Sequence, residues 1–76
     1  MSFGSTVAET AAVSARDVAY AVWRREGDRA ARAYRAWGTA PRRERRKAHA
    51  AYLEALEREE SAARAYQQLV ESVQAP

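Results

Sequence analysis

Glu54, Glu57, Glu59 and Glu60 crowd into seven residues of the second half of the chain, and the single histidine, His49, comes shortly before them. Carboxylates and imidazoles are the usual side chains of hard and borderline metal sites. A helical di-metal centre needs Glu-x-x-His on facing helices. Here Arg46, not a glutamate, stands three residues before His49, and no second histidine exists. A general base needs a nucleophile or an orienting carboxylate at a fitting spacing, and His49 has neither. There is no cysteine and no glycine-rich phosphate loop. The expectation is a protein that is not an enzyme, with no catalytic residue, no metal and no cofactor.

A second group carries charge instead of chemistry. Arg42, Arg43, Arg45, Arg46 and Lys47 place five cations in six residues, with Glu44 among them. Residues 48–76 hold two basic and five acidic groups, so a basic segment adjoins an acidic one. Such a run can meet nucleic-acid phosphates or an acidic patch on a protein partner. No recognition-helix spacing and no zinc-finger ligands accompany it.

The aromatic residues form the third group. The chain writes one stretch twice, Tyr20 to Tyr34 and Tyr52 to Tyr66, at an offset of 32 residues. The copies close with Ala30-Ala31-Arg32-Ala33-Tyr34 and Ala62-Ala63-Arg64-Ala65-Tyr66. Fourteen residues are close to four helical turns, so the two tyrosines of a copy share one helical face about 21 Å apart. Aromatics at that spacing can stack on bases. Their neighbours here are alanines, not lysines, which points to a core and an oligomer interface.

These groups need two helices to position them. Alanine, arginine and glutamate dominate the composition, and all three favour helix. Thr6 and Glu9 have the spacing of a capping box, which starts a first helix near residue 6. Gly38 is placed to end it in a left-handed cap near residue 37. Thr39 can cap a second helix over about 40–73, with Pro41 in its first turn. A three- or four-residue link makes the pair an antiparallel hairpin. The whole chain, 1–76, reads as one all-α domain with short flexible tails at 1–5 and 74–76.

On the first helix Val13, Tyr20, Trp23, Gly27, Ala30, Tyr34 and Trp37 follow three-four spacing, with Arg16 as the charged member of the seam. Ala8, Ala12, Ala15, Ala19 and Val22 widen the apolar arc beyond what one neighbour covers. The predicted oligomer interface is therefore Val13, Ala19, Tyr20, Val22, Trp23, Ala30, Tyr34 and Trp37. On the second helix, Glu54–Arg58 and Glu60–Arg64 should pair along the outer face. A link at 38–40 pairs residues whose numbers sum to about 79. That register sets Tyr52 against Gly27 and brings Glu59 to Arg16 and Tyr20 as a buried polar cluster.

Trp37-Gly38, at the turn of a helical hairpin without cysteine, resembles the tip of the WXG100 secreted hairpins, which carry Trp-x-Gly. The resemblance implies a secreted hairpin that works with a partner. The spacer residue is missing, and Tyr66 is followed by Gln67-Gln68-Leu69-Val70 where that family has Tyr-x-x-x-Asp/Glu.

Small domains bury little surface, and this one has no disulfide to compensate. The expected function is therefore a helical interaction module that dimerises into a four-helix bundle. Its basic tip, Arg42, Arg43, Arg45, Arg46 and Lys47, would contact a protein partner. A nucleic-acid-binding hairpin dimer is the alternative. No run is long enough to span a membrane, and no signal peptide is visible at Met1–Thr6, so the expected compartment is the cytoplasm.

Overall fold

The structure, a computed structural model, describes the backbone of residues 3–74 and the side chains of residues 14–72. Two α-helices make the fold, α1 (Phe3–Thr39) and α2 (Arg45–Gln74), joined through a 3₁₀ turn at Arg42–Glu44. They lie antiparallel as a rod with extents of 65 × 17 × 12 Å. No described helix is long and apolar enough to cross a membrane.

Both helix starts differ from expectation. α1 begins at Phe3, so Thr6 lies inside the helix and does not cap it; the side chains of Thr6 and Glu9 are outside the described residues. Gly38 does not adopt a left-handed cap, since no glycine among the described residues has positive φ. α1 runs through it to Thr39, whose hydroxyl donates to the Arg35 carbonyl at 3.1 Å and caps nothing in α2. The stop comes from Pro41 (φ −59°, ψ 154°), whose ring disfavours helical geometry at the preceding Ala40. The Glu44 N–H then donates to the Pro41 carbonyl at 2.8 Å and opens the 3₁₀ turn that leads into α2.

The longer connection moves the register by about two turns. Half-buried and buried positions on α1 are Arg16, Ala19, Trp23, Glu26, Ala30, Ala33 and Trp37, a three-four repeat, with Gly27 beside Glu26 as the one addition among the described residues. The matching row on α2 is Ala48, Tyr52, Ala55, Glu59, Ala62, Tyr66 and Leu69. Only Ala30 (4% exposed) and Ala55 (5%) are buried among the described residues. Small residues let the two backbones approach at mid-hairpin, and aromatics fill the layers on either side.

The predicted pairing of Tyr52 with Gly27 is thereby corrected. Tyr52 stacks on Trp37 with ring centroids 5.7 Å apart. Glu59 takes the place beside Gly27, its Oε1 lying 3.7 Å from where a β-carbon would stand. The cluster of Arg16, Tyr20 and Glu59 does not form, because eleven residues of α1, about 16 Å of rise, separate Gly27 from Arg16. The predicted surface pairs do form, Glu54–Arg58 at 3.9 Å and Glu60–Arg64 at 3.7 Å.

Candidate functional site

Two aromatic triads stand along the seam. Near the open end Tyr20 meets Trp23 edge-on at 6.0 Å, and both pack on Tyr66, at 5.4 and 5.5 Å. Near the tip Tyr34 meets Trp37 edge-on at 6.1 Å, and both pack on Tyr52, at 5.3 and 5.7 Å. The second triad is the first moved fourteen residues forward on α1 and fourteen back on α2. The repeated stretch of the sequence thus becomes one packing unit used twice. His49 extends the tip triad by lying on Trp37 at 4.5 Å, so its ring serves as packing.

The expected interface residues separate into three places. Ala19, Trp23, Ala30 and Trp37 face α2 within the chain. Tyr20 and Tyr34 sit one step outside the seam, 43% and 57% exposed. Val22, 39% exposed, lies on the opposite flank; Val13 lies outside the described side chains.

The Tyr20 flank is the apolar one. Tyr20, Gly27 and Tyr34 recur every seven residues on α1, as do His49, Leu56, Ala63 and Val70 on α2. A shallow cavity of about 410 Å³ is lined by Gly27, Ala30, Ala31, Tyr34, Tyr52 and Leu56, with Arg35 and Glu59 as its charged members, which places both rows on one side of the hairpin. Neither row holds an arginine, lysine or carboxylate. The opposite flank has Arg29 on α1 and Arg58 on α2. The apolar arc of α1 therefore does not face one way; α2 covers its centre, leaving Tyr20 and Tyr34 on one shoulder beside Leu56 and Val70 of α2, and Val22 on the other.

The basic residues stand at the tip. Arg42 and Arg43 are in the 3₁₀ turn, and Arg45, Arg46 and Lys47 open α2. All five are exposed, and none lies within 4.0 Å of a carboxylate among the described residues. A further cavity of about 380 Å³ beside them is lined by Tyr34, Arg35, Trp37, Gly38 and Arg45. Two guanidinium groups thus border an aromatic floor with no acidic residue in the lining. No three potential metal ligands converge among the described residues.

The chain matches no protein-family model, no curated protein and no solved structure. Function must be read from these surfaces.

Sequence reasoning missed one residue. Glu26 occupies a seam position in the layer of Glu59, and its Oε2 is buried without a hydrogen-bond partner among the described residues. Its signal was present, since 26 and 27 fit three-four spacing between Trp23 and Ala30 equally well. The sequence pattern puts Gly27 at the seam; in the structure Glu26 holds that position.

Proposed function

We propose that this chain is a small non-enzymatic interaction module that works as a homodimer in the cytoplasm, two hairpins closing into a four-helix bundle. Surface area carries the reading. A compact monomer of 8.5 kDa exposes about 4,700 Å². This chain exposes 6278 Å², which leaves a surplus of about 1,600 Å². Standard interfaces cover about 800 Å² per partner, and obligate homodimers cover more. The surplus fits the second class, and the largely apolar Tyr20–Tyr34 flank is the part of the surface that gains most from being covered.

The basic tip supplies the module's outward contact. Five exposed cations without a carboxylate partner among the described residues attract an acidic surface, and the charge is concentrated at one end of the rod. An acidic protein patch is the favoured ligand; binding of RNA or DNA that weakens steeply with salt would replace it with the nucleic-acid reading. The deciding measurement for the assembly is mass in solution by sedimentation equilibrium. Twice 8.5 kDa is expected, and a mass of one chain at micromolar concentration rejects the homodimer.

A further inference from the structure

We propose that the second copy lies antiparallel on the Tyr20–Tyr34 flank, tip beside open end, with the two-fold axis passing beside Gly27 and Glu59. This rests on the homodimer reading and adds the face, the direction and the centre of the contact. Three observations carry it.

The first is the doubled triad. Gly27 is midway between Tyr20 and Tyr34, and Glu59 is midway between Tyr52 and Tyr66. The two midpoints lie side by side in the fold, with Glu59 Oε1 3.7 Å from the β-carbon direction of Gly27. A flank with the same aromatic unit on either side of a midpoint matches its own copy when turned end over end. Each open-end triad then lies level with the partner's tip triad. The cavity beside Gly27, which Glu59 borders, falls at the axis.

The second is charge. Parallel stacking would lay two runs of Arg42, Arg43, Arg45, Arg46 and Lys47 side by side. Like charges placed together cost several kilocalories and are a standard bar to a wrong arrangement. End-over-end stacking separates the runs and sets each beside the partner's open end, where α1 carries Asp17 and α2 carries Glu71, both exposed. Of the cations there, Arg16 is half-buried in the seam, and Arg24 and Arg25 lie nearer the axis. The aromatic cavity lined by Arg35 and Arg45 faces the same flank through Tyr34 and has no carboxylate of its own.

The third is area. The surplus of about 1,600 Å² per chain is more than a tip-to-tip contact could remove. A lengthwise contact along a 65 Å rod can remove it.

The chain has no cysteine, so a single introduced thiol reports one position per chain. Arg46→Cys is exposed at the tip and outside the apolar Tyr20–Tyr34 flank, and it leaves the other four cations of the run in place. With a nitroxide on that thiol, electron dipolar spectroscopy should give a tip-to-tip separation of about 40 Å, from thirteen residues of rise on each side of Glu59. A separation of about 20 Å or less overturns the antiparallel arrangement and leaves the dimer standing. A one-chain mass overturns both. Glu59→Gln removes the one like-charge pair the axis creates and should tighten the dimer several-fold; an unchanged dissociation constant overturns the placement of the axis.

Discussion

Trp23 and Tyr66 stack across the hairpin with ring centroids 5.5 Å apart and planes inclined by 26°. Trp37 and Tyr52 repeat the relationship at 5.7 Å and 20°, one packing unit nearer the tip. These indoles and phenols are the largest surfaces that α1 and α2 share, since the middle of the seam is alanine. Aromatic pairs in offset or edge geometry add about 0.5–1.5 kcal/mol beyond area.

The stacks should therefore dominate hairpin stability. Trp23→Ala is expected to cost about 2–3 kcal/mol in urea denaturation followed by circular dichroism. Tyr66→Phe keeps the ring and removes a hydroxyl that has no protein partner among the described residues, so it should stay within about 0.5 kcal/mol. Equal losses from both variants would mean that the hydroxyl, not the ring, holds the layer.

Glu26 predicts a gain. Its Oε2 is buried and unpartnered, and a buried acceptor without a partner costs about 1–3 kcal/mol. Glu26→Leu puts an apolar side chain at a seam position between the Trp23 and Ala30 layers. The urea midpoint should rise by the equivalent of about 1 kcal/mol or more. A fall would show that the carboxylate has a partner which the isolated hairpin lacks.

Gly38 separates two accounts of the turn. A left-handed cap would make any β-carbon there strained. The φ of Gly38 is not positive, and a β-carbon meets nothing within 4 Å. Gly38→Ala should then stabilise the hairpin by up to about 1 kcal/mol through helix propensity and a stiffer unfolded chain. Thermal melting read at constant protein concentration decides it.

The hairpin was legible because the composition, the long helical periodicity and the break near Pro41 all point the same way. Register was not. A row through Tyr20, Gly27 and Tyr34 and a row through Ala19, Glu26 and Ala33 have the same seven-residue spacing, one position apart. Hydrophobicity favours the tyrosines, yet close backbone approach favours the alanines, and Ala30 against Ala55 decides for approach. The turn added its own error. Gly38 and Thr39 have the chemistry of a tight link, while the Pro41 ring ends α1 only after Thr39 and leaves five residues to connect the helices. Of the candidate surfaces, the basic tip was readable from charge alone; the split of the apolar arc into seam and shoulder depends on register and could not precede it.

The basic tip predicts opposite responses in folding and binding. Arg42, Arg43, Arg45 and Arg46 stand in the 3₁₀ turn and first turn of α2, where the helix already presents unpaired N–H groups and the positive end of its dipole. Each cation there is unfavourable by some tenths of a kcal/mol at low ionic strength, and none is offset by a carboxylate within 4.0 Å among the described residues. Replacing all four by glutamine should raise the melting temperature in low salt, and the difference should shrink as salt screens the repulsion. The same variant should lose binding to an acidic polypeptide such as polyglutamate, measured by calorimetry, with dimer mass unchanged. A lower melting temperature would mean that attraction to Asp17 and Glu71 at the other copy's open end outweighs the repulsion by the helix dipole, and the tip would then serve the assembly as well as an outside partner.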